Sequence, residues 1–323
     1  MRRREFVIGG LTAAAYPHGS HAQQPPVIGF LHGGSQEAYA DTVTLFRQAL
    51  SETGYIEGKN ITIDYRWANA QYDLLPGLAA DLVHRNVALL VAITPVAALA
   101  AKRATTSIPI VFGIGSDPIR DKIVDSLSRP NGNITGETIF SNLLSAKRFE
   151  LLHRLVPDAK LFSALLNPKN ANAEFERNEA QKAASNLGLQ LIFLNATSED
   201  EIDKAFSNLT QEHAEALIVA ADTLFTDQRK QIAELALRNL IPTSFIFRAQ
   251  AAAGGLMSYG ASLDEAYRVL GNYVGRILKG ERPANLPIQQ PTKFEFVLNL
   301  KTARALRIEV PSSVQLLADE VIE

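Results

Sequence analysis

Val27-Ile28-Gly29-Phe30-Leu31 comes directly after Pro25-Pro26 as a fully apolar strand, and about 130 residues later Leu161-Phe162-Ser163-Ala164-Leu165-Leu166 repeats its character. The segments downstream of the two runs are also alike. After the first, Val43, Phe46 and Leu50 fall at helical spacing and the stretch stops at Gly54; Ile61 to Trp67 then alternates in β fashion. Leu74 to His84 is helical, Ala88 to Ile93 is a buried strand, Thr94-Pro95 opens an alanine-rich helix to Ala104, and Ile108 to Ile114 is the next strand. After the second run, helix Ala171–Leu187 ends at Gly188, Leu189 to Leu194 is a strand, and Ser198 with Glu201 forms a capping box for a helix to Leu209. Strand Ala216–Ala221, helix Asp227–Asn239 and strand Ile241–Phe247 complete the set. Continuous apolar strands alternating with amphipathic helices mean parallel sheets covered on both faces, and the duplication means two similar doubly wound α/β lobes. Loops at the carboxyl ends of both sets of strands then face a shared cleft.

Beyond Phe247 the pattern continues. Gly254 to Gly260 reads as a strand, Leu263 to Lys279 as a helix, Phe294 to Leu298 as a strand and Thr302 to Leu306 as a short helix. These cannot form a core alone, so they complete the lobes, with crossings expected near Thr138, Gly254 and Pro291. The division is 23–138 plus 254–285 for lobe 1 and 139–253 plus 286–323 for lobe 2, a clamshell on a multi-strand hinge.

The first 22 residues read as a signal peptide: Arg2, Arg3 and Arg4, a short apolar run from Val7 to Ala15, and small residues at Ser20 and Ala22 for cleavage. Nine apolar residues are too few to span a bilayer, which takes about 20. Arg3-Arg4-Glu5-Phe6-Val7 resembles a twin-arginine export motif, with an ordinary Sec signal as the alternative. After cleavage no membrane insertion and a periplasmic location are expected.

Composition excludes other classes. The chain has 323 residues, 46% hydrophobic, with a formal net charge of −2, enough for two cores and without the basic stripe of a nucleic-acid binder. Cysteine is absent, which removes disulfides, thiolate metal sites and a lipid-anchoring thiol. The motifs G-x-S-x-G, G-x-x-x-x-G-K, G-x-G-x-x-G and H-E-x-x-H are absent and the six histidines are scattered, so neither catalysis, a cofactor nor a metal is expected.

Ile108-Pro109-Ile110-Val111-Phe112-Gly113-Ile114-Gly115-Ser116-Asp117-Pro118 and Arg129-Pro130-Asn131-Gly132-Asn133-Ile134-Thr135-Gly136 carry a family likeness. So do Gly254-Gly255-Leu256-Met257-Ser258-Tyr259-Gly260 and the run from Gln290-Pro291-Thr292-Lys293-Phe294 to Thr302-Ala303. Together, over nearly the whole mature chain, they resemble the ABC transporter substrate-binding proteins of tryptophan/tyrosine type. The resemblance implies a type I periplasmic-binding-protein fold, partner permease and ATPase subunits encoded elsewhere, and a small ligand of the amino-acid, aromatic class. A sensing partner of a chemoreceptor is the alternative use of the same clamshell.

Ligand contacts are expected from loops that come after strands. Thr94 as cap and Pro95 as first helical residue leave the N–H groups of Val96 and Ala97 for a carboxylate, or form a plain cap. Ser116 and Asp117 either meet a ligand ammonium or make an Asx-Pro turn. Asp222-Thr223 either faces the same ammonium from lobe 2 or caps the next helix; Asn167 bonds ligand or fixes its turn. The His32-Gly33-Gly34-Ser35 turn offers backbone donors and the Ser35 hydroxyl. Tyr259, Phe140 and Phe225 are placed at the cleft or in the core, and Trp67 at the rim or in packing.

Overall fold

Leu89–Ile93 is apolar at every position because both faces of its sheet are covered, and it sits in the middle of lobe 1. The computed structural model describes residues 25–323, so the signal segment lies outside the described residues. In lobe 1 the strands β1 (Val27–His32), β2 (Thr62–Trp67), β3 (Leu89–Ile93), β4 (Ile110–Ile114) and β5 (Ile134–Thr138) are all parallel, in the order β2-β1-β3-β4-β5. Side chains alternate between two apolar layers. Leu31, Leu90, Ala92, Ile110 and Phe112 meet helices Leu75–His84 and Pro95–Ala104. Ile28, Phe30, Leu89, Val91 and Val111 meet helices Ala40–Glu52 and Leu263–Leu278. Each fully buried side chain of this size contributes about 1.5–3 kcal/mol.

Lobe 2 contains β6 (Leu161–Leu166), β7 (Gln190–Asn195), β8 (Ala216–Val219), β9 (Thr243–Phe245), β10 (Met257–Ala261), β11 (Phe294–Asn299) and β12 (Glu320–Ile322). The order is β12-β11-β10-β9-β8-β6-β7. Strands β6 to β10 are parallel and reproduce the strand order of lobe 1, whereas β11 runs antiparallel to β10. Helices Ser145–Leu155 and Ala173–Asn186 cover one face through Phe149, Leu152, Ala180 and Ala184. Helices Glu199–Gln211 and Arg229–Arg238 cover the other through Ile202, Phe206, Ile232 and Ala236.

The equivalence of β10 with β5 corrects the domain division. The stretch 254–285 was expected in lobe 1, yet Met257–Ala261 pairs with β9 and β11 as the fifth parallel strand of lobe 2. Gly254, with φ +116, turns the chain between helix Arg248–Ala252 and that strand, so the glycine pair is a tight turn within lobe 2 rather than a hinge. The crossing comes at Ser262, whose hydroxyl accepts the Glu265 N–H at 3.4 Å and caps helix Leu263–Leu278. The chain then stays with lobe 1 past 286: the Thr135 hydroxyl donates to Leu286 O at 2.7 Å, and Gln289 N–H donates to Gly136 O at 2.9 Å beside β5. Helix Asp227–Asn239 divides into Thr223–Asp227 and Arg229–Arg238. Helix Ser145–Leu155 and strand β12 were not anticipated from the sequence.

Helix Leu263–Leu278 approaches helix Ala40–Glu52 closely because Gly271 has no side chain: a Cβ there would lie 2.4 Å from the Phe46 carbonyl oxygen and 2.9 Å from the Ala49 Cβ. Gly271→Ala is therefore expected to destabilise the protein by about 1–3 kcal/mol through overpacking. Urea denaturation measures this, and an unchanged midpoint would show that the helix is not anchored there.

Candidate functional site

Three lobe 1 strands, β3, β4 and β5, end at the cleft and set one wall. Ile93 closes β3, and Thr94 comes next with φ +98, a conformation that costs a β-branched residue about 1–3 kcal/mol. Two bonds hold it there: its N–H donates to Gly113 O at 2.9 Å, and its hydroxyl oxygen accepts the Ala97 N–H at 3.3 Å. Pro95 supplies the first helical residue. The hydroxyl thus takes the Ala97 donor that the sequence left free, and Val96 is the remaining early N–H. Gly113, Ile114 and Gly115 continue the wall, and β5 contributes Glu137. Helix Leu263–Leu278 adds Leu263, Ala266, Tyr267 and Leu270.

Tyr267 is set by His32. The His32 Nδ1 accepts the Gly34 N–H at 2.8 Å, so its Nε2–H donates to the Tyr267 hydroxyl at 2.8 Å. Burial pushes this imidazole down to about 3, which keeps it neutral, and the Gly34 N–H on Nδ1 fixes the tautomer.

Lobe 2 supplies Asn170, Asn172, Glu176, Ala221, Asp222, Thr223, Thr226 and Phe247. Asp222 is the node of a network. Its Oδ1 accepts from Leu224 N–H at 2.9 Å and Asn167 Nδ2 at 3.0 Å; its Oδ2 accepts from Asn170 Nδ2 at 2.8 Å and the Tyr72 hydroxyl at 2.8 Å. Burial raises its pKa in spite of these donors. Tyr72 belongs to lobe 1, and its oxygen also lies 2.7 Å from the Thr223 hydroxyl, so the two lobes are bonded across the cleft. Ser35 N–H reaches Asp227 Oδ1 at 3.3 Å. Arg120 donates to Asn172 Oδ1 and lies 4.1 Å from the centre of the Phe175 ring. The lobes are closed on one another, and the cavity between them holds about 830 Å³ counting its open mouth.

The cavity has an unusual charge balance. Glu137, Glu176 and Asp222 line it, and among its described lining residues there is no lysine, arginine or histidine. Glu137 Oε2 is buried without a partner, and burial first, then Glu265, push its carboxyl up to about 7. Glu176 Oε2 accepts the Ala221 N–H at 3.1 Å; burial lifts this carboxyl to about 8 against the pull of Arg148. Arg148 itself donates through Nη2 to Val219 O at 2.6 Å and Ser244 O at 2.7 Å, tying β8 to β9.

Of the residues expected at the site, Thr94, Pro95, Val96, Asp222 and Thr223 line this cavity. Asn167 stands behind Asp222, and Ser35 joins the lobes beside it. Three expectations are corrected. Asp117 caps its own turn, its Oδ1 accepting from Ile119 N–H at 2.8 Å and Arg120 N–H at 3.3 Å, and it does not reach the cavity wall. Ser116 is fully buried behind the wall, where its carbonyl accepts from the Thr138 hydroxyl at 2.6 Å. Tyr259 stacks on Phe294 at 6.1 Å beside the lobe 2 core. Phe225 is core, Phe140 lies in the crossing with φ 45, and Trp67 packs 4.8 Å from the His32 ring.

Tyr39, Tyr72, Glu137, Ser141, Asn170, Asn172, Glu176, Phe247 and Tyr267 line the cavity without having been singled out. Phe247 and Asn170 come after strands, so the carboxyl-end rule reaches them. Glu137 carries its own signal, a carboxylate inside the buried strand Ile134–Thr138.

A family model described as ABC transporter substrate binding protein matches residues 26–322. The chain belongs to that family. Solute binding for an ABC transporter is therefore its role, and the two-lobed α/β fold agrees with solved members. A streptococcal (pneumococcal) ABC domain in complex with L-Trp is 25% identical and superposes with a TM-score of 0.83 over 92% of this chain and 100% of its own. The ligand-free, open structure of a substrate-binding protein with adhesive properties from Clostridium difficile, also 25% identical, covers 92% of this chain and 99% of its own with a TM-score of 0.65. The lower score against an open form fits the lobe-to-lobe bonds described above. A tyrosine-binding protein of Clostridioides difficile (strain R20291) is 26% identical over 266 residues, 82% of this chain and 76% of that one. Among the described residues no helix is long and apolar enough to cross a membrane.

Tyr72→Phe removes the one hydroxyl that joins Asp222 and Thr223 to lobe 1. A bond of this kind is worth about 1.5–3 kcal/mol, so ligand affinity is expected to fall by roughly 10- to 100-fold with the melting temperature little changed. Calorimetric titration checks this; unaltered affinity would mean that the bond does not contribute to closure.

Proposed function

We propose that the protein captures an amino acid with an aromatic side chain between its lobes and delivers it to a membrane permease driven by a partner ATPase. The observation that carries this reading is the wall chemistry: Tyr39, Tyr72, Phe247 and Tyr267 around apolar residues of both lobes, with carboxylates and no cationic side chain. Aromatic faces suit an aromatic side chain, and the carboxylates suit an ammonium. The ligand carboxylate is assigned to the start of helix Pro95–Ala104, where the Val96 N–H and the positive end of the helix dipole receive an anion. The tryptophan complex and the tyrosine-binding relative support the same class. Ligand contacts from both lobes stabilise only the closed form, so capture shifts an open–closed equilibrium, and the permease reads the closed surface. The ligand leaves unchanged.

Thermal-shift and calorimetric titration of the mature protein against the proteinogenic amino acids tests this. Tryptophan or tyrosine at 100 times its dissociation constant should stabilise the fold by about 2.7 kcal/mol. Stabilisation by sugars or aliphatic acids and by no amino acid would reject the assignment.

Periplasmic delivery is assigned to residues 1–22, by the twin-arginine route. Replacing both Arg3 and Arg4 by lysine should leave precursor in the cytoplasm, as fractionation would reveal; undiminished export would point to Sec.

A further inference from the structure

Resting on the amino-acid reading, we infer that Glu137 is the residue that receives the ligand's ammonium, and that it restricts the site to primary amines with an apolar body. The other two carboxylates in the wall are already committed. Asp222 accepts from Leu224 N–H, Asn167, Asn170 and Tyr72, which uses both of its oxygens. Glu176 is held by the Ala221 N–H with the charge of Arg148 nearby. Glu137 is different: it is 5% exposed, lines the cavity, and its Oε2 has no partner.

Among the described residues lining the cavity, no cationic side chain neutralises Glu137. On β4 its register partner is Gly113. Helix Leu263–Leu278 carries the two groups whose charge Glu137 feels or influences, the exposed Glu265, a like charge, and Tyr273, a neutral phenol. The segment beside β5 brings Gln289, whose amide donates to the Tyr273 hydroxyl at 2.6 Å rather than to the carboxylate. Across the cavity stand Glu176 and Asp222, again acidic. An ionised carboxylate buried without a counter-charge is costly, and a ligand ammonium supplies what the protein omits. The carboxyl, raised to about 7, is neutral in acid and ionised in mild base, so attraction for an ammonium grows as pH rises through that value.

The test uses the mature full-length protein and three probes: L-tryptophan, tryptamine, which lacks the carboxylate, and indole-3-propionate, which lacks the ammonium. By calorimetric titration at pH 8, tryptophan and tryptamine should bind and indole-3-propionate should bind at least tenfold more weakly than tryptophan. Affinity for the two amines should drop several-fold at pH 5.5, a range in which neither amine titrates. Glu137→Gln should weaken both amines at pH 8 by roughly 10- to 100-fold, flatten the pH dependence to whatever Glu176 contributes, and leave indole-3-propionate no weaker. Glu137→Asp, which keeps the charge on a shorter arm, should retain the pH dependence with a smaller loss, and it guards against a folding defect in the amide variant. Indole-3-propionate binding as tightly as tryptophan, or Glu137→Gln binding tryptophan at full strength, overturns the assignment of Glu137 and leaves the aromatic ligand standing. Failure of the wild-type protein to bind any of the three probes or L-tyrosine overturns both together.

Discussion

Lobe 1 cannot cover its own sheet without helix Leu263–Leu278, which the chain makes only after completing the parallel strands of lobe 2. Residues 286–289 then border β5 before β11 returns to the second sheet. The backbone therefore passes between the lobes after Ile139, at Ser262 and between Gln289 and Phe294. Connections of this kind prevent the lobes from drifting apart and leave bending as the motion of low cost. The close fit at Gly271 ties the returning helix to lobe 1, so bending falls on the short extended segments between the lobes.

That arrangement concentrates polar groups where the lobes meet. Strand carboxyl ends from both sheets point into one cavity, and the loops after them carry Thr94, Asn170, Asp222 and Phe247. The network around Asp222 shows how a buried carboxylate is tolerated: Oδ1 is matched by donors from its own loop and the neighbouring loop, and Oδ2 by donors from the neighbouring loop and the opposite lobe. Glu137 lacks such company, and that asymmetry separates the group that organises the protein from the group that awaits a ligand.

Much of the fold was legible because buried parallel strands announce themselves. Leu89–Ile93 is apolar throughout, Val27–His32 and Leu161–Leu166 are apolar except at His32 and Ser163, and their repeat order predicts the matching strand orders of the two sheets. The lobe membership of Met257–Ala261 was missed because a glycine pair reads as a hinge, whereas strand pairing, a long-range property, decides it. The site was legible only where a loop succeeds a strand. Thr94 and Asp222 were found by that rule, and Asp117 obeyed the rule yet turned its oxygen onto its own backbone, a choice governed by local turn geometry. Tyr72, Glu176 and Tyr267 enter the cavity from helical segments, and their direction depends on packing that no local pattern encodes.

The contact from Tyr72 to Asp222 and Thr223 is made by the polypeptide alone, with no atom of a guest taking part. It contributes the same free energy whichever molecule is enclosed, so it deepens retention of every occupant equally and cannot rank them. Discrimination must then come from groups that touch only the guest, and a modest number of them is enough. Such a division lets the walls diverge toward new nutrients while the fastening between the halves stays as it is.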